Sequence, residues 1–389
     1  MLFEKIENER ITMHYNLPEI NLDHLMRMTT NIGMIQFSKI NQPDIESGYT
    51  LDDNARALIA ICMHYKLTGN KDDVYYIHKY LSFIHHCQQN DGKFLNYVNK
   101  EVEFTDQNKE VNLDDSNGRA LWSLGYVVSL TNSLPFEIIA EANSIITKSL
   151  PCLEAMHSTR AMAFAIKGLF YYHKTILDTE SYTLIRTLAD RLVGMYKHES
   201  NIDWDWYEGY LTYANSTLPE AMLYAYLLTN EKQYKDIAIT TLNFLLLHTF
   251  NERGIEVISN RQWLKKGEEA GQFGEQPIDV AYTILTLSKF YNVFKDDKYR
   301  SKMEIAFNWF LGQNRLGQII YNPCTGGCYD GLEETHVNLN QGAESTVSYL
   351  MARFTIEKYK DLANPINIQQ RNHVRVSFKK KKVFIHNMK

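Results

Sequence analysis

The sequence predicts an all-α fold, an (α/α)6 toroid of six helical hairpins, from three observations. Apolar residues recur at helical spacing through most of the 389 residues, and alternating β-branched runs are scarce. Six segments resemble one another, each a polar cluster followed by a helical run rich in small residues. More strongly charged helical stretches separate these segments. A ring of six apolar helices covered by amphipathic ones would bury the apolar faces of both kinds.

The six similar segments define the predicted inner helices. They read GYTLDDNARALIAICMHY, NLDDSNGRALWSLGYVV, HSTRAMAFAIKGLFYYH, ANSTLPEAMLYAYLL, EQPIDVAYTILTLSKFY and NQGAESTVSYLMARF, beginning at Gly48, Asn112, His157, Ala214, Glu275 and Asn340. Corresponding positions lie 44–66 residues apart, from Asp53 to Glu344. The predicted outer helices cover 71–89, 136–150, 181–197, 231–250 and 297–311. Hairpin pairing would place all inner N-termini at one end of the ring.

The chain is predicted to form one toroid domain over residues 1–365, followed by a basic tail over 366–389. In the tail, two short apolar runs flank four consecutive lysines, which predicts a short β-hairpin or an ordered tail. A run of this kind is more typical of a solvated turn than of a nucleic-acid site.

Composition and motifs exclude several classes of function. The formal net charge of -5 gives no general attraction to nucleic acid or to anionic membranes. We recognise no secretory leader and no apolar run of about 18 residues, so we expect a cytoplasmic protein without a membrane span. The five scattered cysteines match neither a disulfide framework nor a zinc site. Dinucleotide, phosphate-loop and serine-hydrolase motifs are also missing, so we expect no cofactor and no metal.

Polar residues concentrate where the inner helices are predicted to begin. Helix capping accounts for one acid per helix, but less well for the consecutive pairs Asp52–Asp53 and Asp114–Asp115. Carboxylates, amides and aromatic rings at one end of a toroid suit a sugar ligand. The predicted substrate-binding residues are Tyr49, Asp52, Asp114, Arg119, Trp206, Tyr213, Asn215, Glu275, Gln276, Asp330, Asn340 and Gln341. Any one of them could be a cap, a turn residue or a salt-bridge partner, so the prediction depends on their joint placement.

Cleavage of a glycosidic bond needs one carboxyl group as proton donor and a second as base or nucleophile. Asp53 and Asp115 begin neighbouring inner helices and form the first candidate pair. Arg56 and Arg119 follow at helical spacing, and pairing with them would lower the pKa of both acids, which suits a base or a sugar ligand. The candidates left open for the proton donor are Glu208, Glu275, Asp330 and Glu344. The predicted catalytic set is Asp53, Asp115, Glu208 and Glu344.

Several motifs together resemble a known domain family. They read GYTLDDNARAL, DDSNGRALWSLG, TRAMAFAIKGL, WYEGYLTYANSTLPEAML, EQPIDVA, FLGQNRLG, TGGCYDGL and NLNQGAEST, within residues 20–360. The chain resembles the (α/α)6 six-hairpin glycosidase-like domain that occurs fused to bacterial family-four-type glycosyltransferases or alone beside mannoside phosphorylases. It departs from the family pattern at Gly209 and Ala214, where that pattern has carboxylates.

The resemblance implies a carbohydrate-active enzyme, and we expect a glycoside hydrolase, most often inverting in this superfamily, that acts on an oligosaccharide such as a mannoside. A phosphorylase is one alternative. Another is a non-catalytic sugar-binding or scaffold partner of a separate glycosyltransferase. A sugar epimerase would require a histidine base, and only His157 begins a predicted inner helix. The expected partner proteins are a glycosyltransferase or a mannoside phosphorylase.

Overall fold

The computed structural model describes residues 17–360, and most of these residues lie in helices. The helices are α1 Asp23–Met28, α2 Leu51–Thr68, α3 Asp73–Cys87, α4 Gln107–Glu110, α5 Asp114–Val128, α6 Phe136–Ser149, α7 Thr159–Ile176, α8 Thr179–Glu199, α9 Thr217–Thr229, α10 Lys232–Thr249, α11 Pro277–Phe294, α12 Asp297–Asn308 and α13 Ala343–Glu357. Short 3-10 turns cover Ile45–Ser47, Leu150–Ala155 and Trp309–Leu311.

Short antiparallel ribbons occupy the connections that lead into the inner helices. The strands are β1 Ser38–Lys39, β2 Gln42–Pro43, β3 Tyr49–Thr50, β4 Tyr97–Val98, β5 Tyr210–Leu211, β6 Phe250–Asn251, β7 Gly254–Ile255, β8 Leu264–Lys265, β9 Tyr321–Asn322, β10 Gly327–Cys328, β11 Gly331–Leu332 and β12 Val337–Asn338. The pairs are β1–β2, β3–β4, β5–β8, β6–β7, β9–β10 and β11–β12. Each ribbon holds a loop at the end of the ring where an inner helix begins.

The inner ring consists of α2, α5, α7, α9, α11 and α13, and it closes because α13 packs against α2. Each of α3, α6, α8, α10 and α12 packs outside the inner helix that precedes it, and α1 packs on α13. The predicted (α/α)6 toroid is confirmed, and the helix bounds agree with the predicted ranges to within a few residues at each end. The last turn of the predicted 297–311 helix is the 3-10 turn Trp309–Leu311. The predicted C-terminal hairpin or tail lies outside the described residues.

Glycine sets the unusually close approach of α5 and α7. A Cβ atom built on Gly118 would lie 2.6 Å from the carbonyl oxygen of Ala161. Gly125 and Gly168 face each other across the same contact, and a Cβ on either would overlap the opposite backbone. Small residues therefore permit backbone-to-backbone packing here.

The first turn of α2 shows how local sequence fixes the start of an inner helix. The Thr50 hydroxyl accepts a hydrogen bond from the Asp53 amide at 3.2 Å, which caps the helix. Ser158 caps α7 in the same way through the amide of Ala161. Within the described part of the chain, no helix has both the length and the apolar character needed to cross a membrane.

Candidate active site

A polar pocket of about 380 Å³, named here the acidic pocket, lies at the end of the ring where the inner helices begin. It lies over the first turns of α2 and α13, and the loops before α2, α11 and α13 complete its wall. Its acidic lining residues are Asp52, Asp53, Glu275, Asp330, Glu333 and Glu344. The size and the concave, hydrogen-bonding wall suit a small-molecule ligand.

One guanidinium bridges two carboxyl groups in the acidic pocket. The Arg56 Nη1 atom lies 2.9 Å from Asp53 Oδ1, and its Nη2 atom lies 2.9 Å from Glu344 Oε2. Asp53 and Arg56 are one turn apart on α2, whereas Glu344 lies in the first turn of α13, so the bridge joins the two helices that close the ring. The side chain of Asp53 is 5% exposed and that of Glu344 is 38% exposed, so the two carboxyl groups differ sharply in their access to water.

The environment of Asp53 corrects the prediction about its ionisation. The expected contact with Arg56 is present, and Thr50 Oγ1 also donates to Asp53 Oδ2 at 2.7 Å. Burial nevertheless raises the pKa of Asp53 to about 7 against the pull of Arg56, and the neighbouring charge of Glu344 raises it too. The sequence predicted a lowered pKa because it shows the arginine at helical spacing but not the depth of burial.

Asp52, the preceding residue, has the opposite electrostatic environment. Its Oδ1 atom lies 2.7 Å from Arg119 Nη1, and its backbone amide donates to Asn96. Burial acts to raise the pKa of Asp52, but the charges of Arg119 and Arg56 outweigh burial and lower the pKa. Arg119 was predicted to pair with Asp115. It instead reaches from α5 to the acid of α2, a contact between helices that sequence spacing does not reveal.

Asp115 lies outside the lining of the acidic pocket. Its carboxylate accepts hydrogen bonds from Ser158 at 2.6 Å and from the Tyr213 hydroxyl. The Tyr213 ring packs beneath the guanidinium groups of Arg119 and Arg160, at 5.7 and 5.3 Å from the ring centre. The structure thus places Asp115 and Tyr213 together, in a layer next to Asp52 and its arginine.

Glu208 belongs to a second buried ion pair in the neighbouring part of the ring. Arg160 Nη1 donates to both of its carboxylate oxygens, and Thr159 donates to one of them at 2.7 Å. Asn215 is buried, accepts from Arg160 Nη2 and closes a turn through the backbone of Thr212. These contacts occupy the polar atoms of Glu208 and Asn215 and fix the loop before α9.

Two further acids of the acidic pocket have raised pKa values. Burial raises the pKa of Glu275 to about 7, although Trp309 Nε1 donates to it at 2.8 Å and Arg315 lies nearby. Burial likewise raises the pKa of Asp330 to about 6, although the Gly342 amide donates to its Oδ1 at 2.8 Å. Protonated and ionised carboxyl groups therefore coexist in one pocket near neutral pH.

The other predicted polar residues have more local roles. Gln276 lines the acidic pocket and immediately precedes α11. Asn340 accepts a hydrogen bond from the Ile40 amide at 2.9 Å and so links the turn between β1 and β2 to the loop before α13. Asp114 lines a separate pocket at the start of α5.

Three predicted sugar-contacting side chains lie in the interior instead. Trp206 has no exposed surface and packs against Tyr207 and Phe244. The buried Tyr49 hydroxyl contacts Thr30, and the buried Gln341 accepts from Thr325 at 2.7 Å. These side chains do not reach the pocket wall, because the segments that carry them fold inward.

Asp279 is a buried acid that the sequence analysis did not single out. It lies in the first turn of α11 and accepts a hydrogen bond from the Ala214 amide at 2.6 Å. Burial raises the pKa of Asp279 to about 7. Its position in the EQPIDVA segment, one turn after Gln276, was the available signal. Among residues 17–360, no group of three or more His, Cys, Asp or Glu side chains is arranged to hold a metal ion.

Solved structures that share this fold are (α/α)6 six-hairpin glycosidase-like proteins. A cellobiose 2-epimerase from Bacillus thermoamylovorans matches with a TM-score of 0.65 and 11% identity, covering 87% of this chain and 96% of that one. A D-mannose isomerase matches with a TM-score of 0.61 and 10% identity, over 86% and 95% of the two chains.

An α-1,6-mannanase from Salegentibacter sp. matches with a TM-score of 0.58 and 12% identity, covering 86% of this chain and 95% of that chain. That structure is an inactive variant, with two consecutive aspartates replaced by asparagine, in complex with α-1,6-mannotriose. No protein-family model and no curated protein matches the chain. At these identities the comparisons establish the fold.

Proposed function

We propose that this protein is a carbohydrate-active enzyme, a glycoside hydrolase that cleaves an oligosaccharide in the acidic pocket. The observation that carries the proposal is the single guanidinium of Arg56 between two carboxyl groups. One cation balances one carboxylate, so the pair favours a state with one proton, and burial assigns that proton to Asp53. A protonated and an ionised carboxyl group side by side are what glycosidic cleavage requires.

The two groups have distinct proposed roles. Asp53 donates its proton to the glycosidic oxygen as the bond from that oxygen to the anomeric carbon breaks. Glu344, more exposed and held by Arg56, accepts a proton from the water that attacks this carbon. Both carboxyl groups bind the same guanidinium and are therefore near neighbours, as a glycosidase pair must be, at about 6.5–9.5 Å in inverting enzymes. Attack by water from the face opposite the leaving group would invert the anomeric configuration.

The solved structures that share this fold suggest which substrates to test first. The mannanase variant with two consecutive aspartates replaced is described as inactive. In this chain the consecutive pair Asp52–Asp53 lines the acidic pocket. Together with the family resemblance, this supports an α-mannoside as the first substrate class to test. Epimerisation is less well supported, because the described lining of the pocket includes no histidine.

The first prediction concerns turnover by two single variants. With an α-1,6-manno-oligosaccharide as substrate, Asp53→Asn and Glu344→Gln should each lower turnover by about 10²–10⁴-fold, because each removes one proton-transfer group. An NMR time course, run with and without phosphate, measures the rate and identifies the first anomer formed. Matched controls are Asp236→Asn and Glu141→Gln, which make the same chemical changes in ion pairs on the outer helices α10 and α6.

Full turnover in Asp53→Asn and Glu344→Gln would refute the proposed roles. A sugar 1-phosphate that forms only with phosphate present would identify a phosphorylase. Sugar binding without turnover would instead support a sugar-binding partner of a separate glycosyltransferase, and co-purification of that transferase would test this role directly.

A further inference from the structure

A second cavity, named here the basic cavity, lies at the end of the ring opposite to the acidic pocket. Its volume is about 200 Å³. Its walls come from all six inner helices, mostly from their middle and later turns, so it lies on the axis of the ring toward the end where those helices finish. The chemistry proposed for the acidic pocket makes no use of it.

Four lysines from four elements converge on the basic cavity. They are Lys66 of α2, Lys167 of α7, Lys289 of α11 and Lys358, which directly follows α13. The single acidic residue among the described lining residues is Glu220 of α9. The formal charge of the lining is therefore strongly positive, although the whole chain carries -5.

The deepest lysine already has its counter-charge. Lys167 is buried, and its Nζ atom lies 2.8 Å from Glu220 Oε2 and 3.7 Å from the ring centre of Trp122. Glu220 also accepts from Thr286 at 3.3 Å. The one carboxylate of the cavity is therefore paired with Lys167, and the described lining offers the other three lysines no second carboxylate.

Lys289 and Lys358 form no ion pair with any residue of the described chain. Burial lowers the pKa of Lys289 to about 8, and Lys174 and Lys167 act in the same direction, while Glu220 opposes them. Lys358 and Lys66, by contrast, have exposed side chains at the mouth of the cavity. The half-buried Lys289 thus occupies a site that disfavours its own charge, and a bound anion would relieve that cost.

Neutral hydrogen-bonding groups complete the wall. The hydroxyl groups of Tyr171 and Tyr224 are 2.7 Å apart, so one of them has a proton left to donate into the cavity. Ser288 and Asn292 of α11 also line the cavity, and their side chains hydrogen bond to the Tyr359 hydroxyl at 2.7 and 3.0 Å. Several donors around converging cations match a ligand with several acceptor oxygens and more than one negative charge.

Helix dipoles provide a purely structural explanation for some of these lysines. A lysine near a helix C-terminus is stabilised by the partial negative charge there, typically by about 0.3–1 kcal/mol when exposed. That explains Lys66 and Lys358 at the ends of their helices. It does not explain Lys289, which is half-buried before the last turn of α11, with its Nζ atom 4.1 Å from the ring centre of Tyr224.

We propose that the basic cavity binds a small phosphate-class anion, either inorganic phosphate or the phosphate group of a sugar phosphate. The anion would lie among Lys289, Lys358 and Lys66, with the tyrosine pair as neutral donors. This site is distinct from the acidic pocket and would operate whether or not the protein cleaves a glycoside.

The test is calorimetric titration of the full-length protein with inorganic phosphate and, separately, with mannose 6-phosphate. Lys289→Gln and Lys358→Gln should each weaken binding at least about tenfold. Lys148→Gln, which removes the same charge from the exposed end of α6, should leave it unchanged. Tighter binding of mannose 6-phosphate than of phosphate would identify a sugar phosphate as the ligand, and equal binding would identify phosphate itself.

A second readout locates the site without relying on the variants. Pyridoxal 5'-phosphate condenses with a neutral lysine amine to form an imine and water, and borohydride reduces the imine to a stable secondary amine. Peptide mass spectrometry should find Lys289 or Lys358 labelled, with phosphate protecting against labelling.

Three results would overturn the proposal. They are no binding of either anion at millimolar concentration, equal loss of binding in Lys148→Gln, and loss of binding in Glu344→Gln but not in Lys289→Gln. The last would place the anion in the acidic pocket instead.

Discussion

Asp52 and Asp53 are consecutive in the chain, yet their carboxyl groups have opposite ionisation tendencies. The pKa of Asp52 is lowered, since the charges of Arg119 and Arg56 outweigh its burial. The pKa of Asp53 rises to about 7, since its burial outweighs the same Arg56. At the scale of single residues, the two pKa values differ because the carboxyl groups are buried to different depths and have different numbers of cations beside them. A proton donor and a sugar-binding carboxylate can thus come from one dipeptide.

The pH dependence of turnover follows from these ionisations. If Asp53 must be protonated to act, kcat/KM should fall as the pH rises through about 7, because the donor loses its proton. Asp330→Asn tests the competing assignment, since the pKa of Asp330 is about 6. We expect the alkaline limb of the wild-type profile near pH 7, and its midpoint should stay in place in Asp330→Asn. If the alkaline limb of the kcat/KM profile disappears in Asp330→Asn, then Asp330 and not Asp53 is the proton donor.

Asp279 gives a residue-scale prediction about stability. Its pKa is about 7 in the folded protein, against an ordinary value of 3.8 for an exposed aspartate, so the folded state binds the proton more tightly than the unfolded chain does. Its contribution to the free energy of unfolding is therefore largest below pH 4 and is lost as the pH rises through 7. Asp279→Asn should reduce the loss of stability between pH 5 and pH 8, by up to about 3 kcal/mol. Urea unfolding at pH 5 and pH 8 measures the free energy of unfolding of both proteins. If Asp279→Asn loses as much stability between the two pH values as the wild type does, the prediction is contradicted.

At the scale of elements, the contact between α5 and α7 depends on the absence of side chains. Gly118, Gly125 and Gly168 bring the two backbones together at three successive points. This closeness also brings the guanidinium groups of Arg119 of α5 and Arg160 of α7 over the same Tyr213 ring. Helix spacing and site geometry are therefore set by the same residues.

Gly168→Ala should destabilise the fold by about 1–3 kcal/mol, because the new methyl group would overlap the Leu121 carbonyl and force the helices apart. Gly194→Ala, on the outer helix α8, has nothing within 4 Å of the new methyl group. That control should stabilise by about 0.5–1 kcal/mol, as expected for glycine inside a helix. Chemical denaturation of both variants checks the pair. Equal changes in the free energy of unfolding of the two variants would show that the close approach of α5 and α7 is not needed for stability.

At the scale of the whole molecule, the ring separates two kinds of charge. Carboxylates gather in the acidic pocket, where inner helices begin, and lysines line the basic cavity at the opposite end. Lys66 and Lys358 there complement the negative ends of the α2 and α13 dipoles. Closure of the ring depends on α13, in which thirteen of fifteen residues are buried. This helix joins α11 to α2 and carries Glu344 into the acidic pocket.

A chain ending at Gly342 should therefore lose cooperative unfolding, because the facing sides of α2 and α11 would be exposed to water. Circular dichroism during urea unfolding measures this loss. Glu344→Gln is the matched control, since it removes the same carboxylate and leaves the ring closed. If the truncated chain unfolds as sharply as Glu344→Gln, then ring closure does not hold the domain together.

Sequence patterns sufficed for the fold because each inner helix has its own local signal. Thr50 and Ser158 mark helix starts, and small residues mark close approaches, all within a few positions along the chain. The candidate site was predictable only in part. Asp52, Asp53, Asp330 and Glu344 line the pocket as expected of polar residues before inner helices, whereas the aromatic Trp206 is in the interior.

The sequence by itself determined the six-hairpin toroid and the end of the ring at which its acids collect, because helical periodicity and capping act over short stretches of chain. Only the tertiary structure decided that Arg119 pairs with Asp52, that Arg56 links Asp53 to Glu344, and that four lysines converge at the far end. These contacts join residues far apart in the chain, and burial, which the linear sequence does not show, sets the pKa values of the acids.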